Sequence, residues 1–375
     1  MVIENLKIVL INKIIKKGYL VIEDEKIVEV GEGEYKGSEY SVDGEGKIAM
    51  PGFIDVHVHG SAGLEFMTEK VNELKIIAQS LYEEGVTTFL ATTLTAPKKA
   101  LLGVCKAVKE AKEQIPSLYG IHFEGPYISL KYKGAQNPEY IRDPDIEEFD
   151  ELQKASGGNV KYITIAVEKN NALPFIKHIT EQGVVASVGH SDATFEDVEK
   201  AIDVGLTNVT HTHNAQSPHH HRNPGIVTAA FYFDSLYTEC ICDKIHVCPN
   251  ALKTMHKIVG PNRFIAITDA LKVKHTSAKD FDMFGLPAEQ RDGAAYLKSG
   301  PLAGSTLTMD QALRNLHEIT GASLINLAKA TSTNAAHSLR LTDRGEIKPG
   351  LLADLVLLNK DLYITDVYKL GKKVI

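Results

Sequence analysis

Cysteine is scarce in this chain. There are four in 375 residues, Cys105, Cys240, Cys242 and Cys248, too few for a disulfide framework. They read as reduced thiols, which sets the expected location in the cytoplasm. Cys240 and Cys242 share one face of a strand, but a lone C-x-C pair is a weak metal signature, and buried inert thiols are the plainer reading. Basic charge is not in excess either. The formal net charge is -7, so no positive field draws in nucleic acid or an anionic membrane, and any anionic ligand has to be met by a local pocket. No apolar run approaches the roughly 20 residues that cross a bilayer. Charges interrupt the N-terminal "MVIENLKIVLINKIIKKGYLVIEDEK" too often for a signal-peptide core. A glycine-rich phosphate loop is also missing: "HVHGSAGLEF" follows the first strong strand where G-x-G-x-x-G would stand, which counts against a doubly wound nucleotide sheet.

What is present is ordinary globular material, 43% hydrophobic and 24% charged. Residues 1–50 read as short strands, with "YLVIEDEKIVEVGEG" alternating around a turn at Asp24-Glu25. The tail "ADLVLLNKDLYITDVYKLGKKVI" offers three more strands, with turns near Asn359-Lys360 and Gly371-Lys372. Neither end suffices for a sheet core alone. Together, 1–50 and 345–375 are expected to form one small β-sandwich domain. Between them eight apolar runs recur: 53–59, 86–93, 118–125, 161–168, 184–191, 206–213, 236–247 and 264–270. Helical spacing separates them. "VNELKIIAQSLYEEG" puts Val71, Leu74, Ala78 and Leu81 on one face and stops at Gly85. "TFEDVEKAIDVG" opens with Thr194 and Asp197 at capping-box spacing and stops at Gly205. Strands alternating with helices in this number predict a (β/α)₈ barrel of the TIM type over residues 51–344.

Side chains alternate along a strand, so His57 and His59 of "PGFIDVHVHG" (51–60) point the same way. In such a barrel the active site stands at the C-terminal strand ends. There the first run offers His57 and His59, the third Glu124, the fifth His190, the sixth His211 and the eighth Asp269. Taken singly, each has an ordinary explanation. A strand histidine is usually satisfied in the core or a loop, and Glu124 or Asp269 suits a helix cap in the next turn. Taken together, the imidazoles and carboxylates of five strands converge on one mouth, where chance would scatter them. A carboxylate closing an apolar strand is also costly to bury without a partner. Imidazole and carboxylate are the donors preferred by zinc and iron(II), so the cluster is expected to hold a divalent metal.

The segments "PGFIDVHVHG", "IHFEGPY", "VGHSDA", "THTHNA", "HHRNPG", "ITDA" and "AGSTLTM" stand in the order found in N-acetylglucosamine-6-phosphate deacetylases of the amidohydrolase superfamily. The sequence resembles that family over nearly its whole length, split β domain included. The resemblance implies a main metal on Glu124, His190 and His211, and a second on His57 and His59 with Glu124 bridging. Some family members lack the H-x-H pair and use one metal. This chain keeps it, so one or two ions, zinc or iron, are expected. The resemblance also makes Asp269 the acid/base. It would take a proton from the metal-activated water attacking the acetamide, then return it to the departing amine. Acetate and an amino-sugar phosphate would be the products.

The phosphate of such a substrate needs cations and amide donors. "HTHNAQSPHHHRNPG" carries Arg222 beside His219, His220 and His221. A guanidinium fork matches phosphate oxygens and would obstruct a metal, so this run reads as an anion site rather than a metal site or a solvated loop. By the resemblance, Asn214, Ala215, Arg222 and His246 contact the sugar phosphate, and Asp243 lines the same pocket. Ala135 and Gln136 of "KGAQNP", with Ala303, Gly304 and Ser305, touch the sugar. Related enzymes are dimers that complete the pocket with a neighbour's residues, so a homodimer is expected, with no nucleic-acid or membrane partner. Three departures bear on the sugar more than on the reaction: Gln216 replaces a usual methionine, Lys244 a glycine and Asn223 a glutamate. The galactosamine epimer as substrate, and a non-catalytic sugar-phosphate-binding barrel, are the alternative readings. Cyclic-amide hydrolases of the superfamily use a carboxylated lysine late in a middle strand, where "KYITIAVE" has none.

Overall fold

In the computed structural model, which describes residues 1–375, the eight apolar runs form one parallel sheet. Its strands are β1 (Phe53–Val58), β2 (Val86–Thr93), β3 (Leu118–Glu124), β4 (Val160–Ile165), β5 (Val185–Val188), β6 (Leu206–Val209), β7 (Tyr237–Ile241) and β8 (Phe264–Ile267), each paired with the next in chain order. Just past the strand ends the seam closes. The Asp269 amide donates to the His57 carbonyl at 2.8 Å, and the His59 amide to the Ala270 carbonyl at 2.9 Å. This is a (β/α)₈ barrel. Every residue of β2 is buried, as expected for parallel strands covered on both faces.

A helix follows each strand: α1 (Val71–Tyr82), α2 (Lys98–Ala111), α3 (Ile146–Ala155), α4 (Ala172–Glu181), α5 (Phe195–Asp203), α6 (Ile226–Tyr232), α7 (Pro249–Val259) and α8 (Met309–Thr320). Helix α1 buries Leu74, Ala78 and Leu81 of the expected face and Ile77 beside them, and leaves Val71 half-buried. At the start of α5 the Asp197 amide donates to the Thr194 hydroxyl at 3.2 Å, and the Thr194 amide to the Asp197 carboxylate at 3.1 Å. This reciprocal cap is worth about 1 kcal/mol. No helix is long and apolar enough to cross a membrane. All four cysteines are free; Cys105, Cys240 and Cys242 are buried and Cys248 is exposed.

Both chain ends build one further sheet, from Val2–Val9, Ile14–Glu23, Lys26–Glu32, Ser41–Asp43 and Ile48–Pro51 at the start and Leu355–Leu358, Ile364–Lys369 and Lys372–Lys373 at the end. It curls until its arms meet: the Ile27 amide donates to the Leu351 carbonyl at 2.9 Å and the Ala353 amide to the Glu25 carbonyl at 2.7 Å. Leu20, Ile22 and Ile27 of one arm share a small apolar core with Leu355, Leu357 and Tyr368 of the other.

One unit has no counterpart in the sequence reading. Between β8 and α8 lies a four-stranded antiparallel sheet, Asp280–Met283, Leu286–Arg291, Ala294–Leu297 and Leu302–Ser305. It packs Met283, Ala288, Ala295 and Leu297 against Leu94, Ala135, Leu271 and Val273, over the barrel mouth.

Below the site, the Lys112 ammonium ties the end of α2 to the Tyr119 carbonyl at 2.8 Å and to Asn159 Oδ1 at 2.7 Å. Burial, then the charges of Lys161 and Arg344, lower its pKa to about 8. The unfolded chain therefore holds this proton up to a higher pH than the folded one. Lys112 contributes stability that is present above its unfolded pKa and is lost as pH falls through about 8. Urea unfolding is expected to show the natural chain gaining on Lys112→Gln between pH 7.5 and 9.5. Parallel trends would refute it.

Candidate active site

His57 lies on β1 and His59 one residue past its end; Glu124 is the last residue of β3. His190, His211 and Asp269 each stand two residues beyond β5, β6 and β8. These three share a second property: φ is +48° at His190, +26° at His211 and +48° at Asp269. A left-handed turn in a non-glycine residue costs roughly 1–2 kcal/mol. The same turn, made at the same offset, swings all three side chains inward over the barrel axis.

The side chains meet. Glu124 Oε1 lies 2.9 Å from His211 Nε2, 3.0 Å from His190 Nε2 and 3.3 Å from His57 Nε2. Glu124 Oε2 lies 3.2 Å from His59 Nε2. Asp269 Oδ1 lies 3.2 Å from His59 Nε2 and 3.5 Å from His57 Nε2. All six residues are buried. One carboxylate thus touches all four imidazoles, and a second faces the H-x-H pair.

The cluster forms the floor of a cavity of about 290 Å³. His59, Glu124, His190, His211 and Asp269 reach it. Its walls carry Ala135, Gln136, Asn214, Ala215 and His246, and the inserted sheet adds Met283, Leu302, Ala303 and Gly304. Gln136 Nε2 also donates to Glu124 Oε2 at 2.5 Å, tying wall to floor.

Residues 48–374 match the Amidohydrolase family model. The chain belongs to the amidohydrolase family. It is 37% identical to the N-acetylglucosamine-6-phosphate deacetylase of Bacillus subtilis (strain 168), over 96% of this chain and 93% of that one. It is 32% identical to the N-acetylgalactosamine-6-phosphate deacetylase of Escherichia coli O157:H7, over 87% of both. Among solved structures it resembles an aspartate-to-alanine variant of the Mycobacterium smegmatis N-acetyl-D-glucosamine-6-phosphate deacetylase in complex with N-acetyl-D-glucosamine-6-phosphate. That match has a TM-score of 0.95 and 31% identity, over 100% of this chain and 99% of that one.

Three of the expected substrate residues stand off the cavity of this amidohydrolase. Asp243 lies behind the wall, its carboxylate 2.6 Å from His246 Nδ1 and accepting the His246 amide at 2.8 Å, so it orients His246. Ser305 is fully buried; its amide donates to the Asp269 carbonyl at 2.9 Å and its hydroxyl to the Thr268 carbonyl at 2.5 Å. It braces the Asp269 turn instead of facing a ligand. Arg222 is exposed in a neighbouring concavity that shares Lys131 and Tyr132 with the main one. Pro218, His220 and Pro224 of its loop line that concavity too, and none of them reaches the main one. Of the departures, Gln216 is buried with neither amide atom hydrogen-bonded, Lys244 pairs with Glu318 at 2.8 Å, and Asn223 is exposed.

Sequence reasoning missed Lys131, Tyr132 and Gly134 on the wall. Gly134 lies within the quoted "KGAQNP" and Lys131 and Tyr132 just before it, the only available signal. At Gly134 φ is +55°, and a Cβ there would meet His190 Cε1 at 3.2 Å, so glycine lets the loop close on the ligand cluster. It also missed Glu239 of β7, fully buried behind His57.

The family is metal-dependent, and the donor set fits a divalent cation. His57, His59 and Asp269 form one group of converging donors; His57, Glu124 and His211 form another. His57 Nε2 is buried with no aligned hydrogen bond, although carboxylate oxygens surround it. His190 Nε2 and His211 Nε2 stand 3.1 Å apart. Two nitrogens on one tetrahedral zinc are about 3.3 Å apart, given Zn–N near 2.0–2.1 Å. The protein's own charges polarise the cluster strongly. Burial opposes ionisation of Glu124, but His57 and His190 outweigh it and hold this carboxyl well below its usual range. Burial likewise opposes charge on His59, yet Asp269 and Glu124 raise it to about 9. Asp269 is lowered against burial by His57 and His59.

Proposed function

We propose that this amidohydrolase removes the acetyl group of N-acetylglucosamine 6-phosphate, yielding glucosamine 6-phosphate and acetate. The observation that carries the reading is the convergence of four imidazoles on Glu124, with Asp269 opposite and a sugar-sized cavity above. Near-full-length similarity to deacetylases of this substrate supports it. Glu124, His190 and His211 hold the main cation, and His57 and His59 a second, zinc or iron(II) by the donor chemistry. When bound, such a cation lowers the pKa of water to about 7 and polarises a carbonyl.

The chain's own residues do the rest. Asp269, ionised beside His59, accepts the proton of the attacking water at a carboxylate oxygen. The water oxygen joins the acetamide carbon, and the C–N bond breaks as Asp269 passes its proton to the amine. Gln136 and His246 line the path of the sugar, and Ala303 and Gly304 bring backbone close to it. Lys131, on the cavity wall and paired with Asp192 at 2.8 Å, exchanges that partner for the phosphate, alongside Asn214. Arg222 joins them from a second copy of the chain, so a cytoplasmic homodimer is part of the proposal; the exposed guanidinium outside its own cavity supports this.

An acetate-release assay on the metal-loaded protein tests the reading. N-acetylglucosamine 6-phosphate is expected to turn over. The unphosphorylated sugar should lose about 10- to 100-fold in kcat/KM for each charged hydrogen bond forgone, at about 1.5–3 kcal/mol each. Arg222→Ala should weaken the phosphorylated substrate alone. A preference for the galactosamine epimer, the substrate of the E. coli relative, would reassign the sugar. No acetate from either would overturn the activity.

A further inference from the structure

We propose that Glu239 is a positioning residue that fixes His57 as a metal ligand and spaces it from His211. Glu239 projects from the middle of β7 and is fully buried. Its Oε2 lies 3.2 Å from His57 Nδ1 and accepts the His211 amide at 3.2 Å. Its Oε1 accepts the Tyr162 hydroxyl. No lysine or arginine reaches it; its one charged contact is His57. A carboxylate buried with a single imidazole as its charged partner is costly, so the site has to recover that cost elsewhere.

The recovery follows from the hydrogen positions. Both Glu239 oxygens already accept, from the His211 amide and the Tyr162 hydroxyl, so the proton shared with His57 sits on Nδ1. The Nε2 lone pair is then free, and Nε2 is the atom that faces Glu124 and Asp269 without an aligned hydrogen bond. A cation there would draw charge through the ring and balance Glu239, the carboxylate–histidine–metal relay. The other histidines lack this support. His190 Nδ1 meets only the Tyr132 carbonyl at 2.8 Å, and neither His59 Nδ1 nor His211 Nδ1 has a partner. Through the His211 amide the same carboxylate also grips the turn after β6. It therefore sets the distance between two imidazoles that meet the same Glu124 oxygen.

The inference rests on the metal-site reading above. The test is Zn²⁺ titration of the metal-free full chain against a chromophoric chelator, with thermal melting of the same samples. Glu239→Gln should weaken the ion at His57 by about 10- to 100-fold. The rise in melting temperature that Zn²⁺ brings should shrink with the lost affinity. A merely structural role leaves the Zn²⁺ affinity unchanged while lowering the melting temperature of the metal-free chain, and overturns the proposal. Glu239→Asp keeps the charge but falls short of Nδ1, and should show the same loss of affinity. In a His57→Gln background Glu239→Gln should add nothing; full additivity overturns it. Nitrogen NMR of the Zn²⁺-loaded natural chain needs no variant: His57 should carry its proton on Nδ1, and a proton on Nε2 refutes the assignment. If the natural chain binds no Zn²⁺, the metal reading falls and this inference with it. If it binds Zn²⁺ and the Glu239 variants match it, only this inference falls.

Discussion

Asp269→Asn is expected to lower kcat by about 10³-fold, within the span of a positioned acid/base, while metal content stays near that of the natural chain. Asparagine has the same shape and tolerates the left-handed backbone that Asp269 adopts at φ +48°. The turn is also held from outside the side chain, through the Asp269 amide to the His57 carbonyl at 2.8 Å and the Ser305 amide to the Asp269 carbonyl at 2.9 Å. The substitution therefore removes a proton acceptor without moving the floor of the site. KM should change little, since the lost interaction develops only as the bond is made and broken. Steady-state kinetics with elemental analysis of the same preparation checks this. A variant with full activity would remove Asp269 from the chemistry. A variant that also loses its metal would make Asp269 a ligand first.

Much of this arrangement was legible because barrel chemistry is tied to strand ends. Once the eight runs were counted, the terminal His57, Glu124, His190, His211 and Asp269 had to face one mouth. The later runs end earlier than their apolar letters suggest: β5 stops at Val188 and β6 at Val209. His190 and His211 sit on turns, not strands, and periodicity does not report a positive φ. The inserted sheet at 280–305 was unreadable for a different reason. "DFDM" alternates but is only four residues long, and "LPAEQR" and "LAGS" carry little apolar alternation, since that sheet buries only one thin layer over the mouth. Glu239 was within reach. The cost of burying a carboxylate in an apolar strand singled out Glu124 and Asp269, and applies equally to "YTECI". The cysteines beside it drew the reading toward thiols. Arg222 illustrates the opposite limit, because a motif gives the chemistry of a group but not its place, and this guanidinium lines the neighbouring concavity.

Glu124→Gln is expected to have the larger effect, because Glu124 is the point where the site's charges cancel. Its carboxylate is in contact with His57, His59, His190 and His211, and no lysine or arginine contacts it. The amide fills the same space, so the barrel should fold. The negative charge that gathers a cation among four imidazoles is gone, however, and an amide N–H₂ now competes with ligand nitrogens for the same volume. Both proposed ions share this one residue, so both affinities should fall together, whereas His57→Gln should weaken one. Losing the Lewis acid removes several kcal/mol of transition-state stabilisation, which corresponds to about 10³-fold or more in kcat. Added Zn²⁺ should restore little activity, in contrast to chelated natural protein, which should recover. The discriminating readout is metal stoichiometry after dialysis. Asp269→Asn should keep its ions and Glu124→Gln should not. If Glu124→Gln keeps its full complement, the four imidazoles alone hold the metal, and the carboxylate at their centre serves some other purpose.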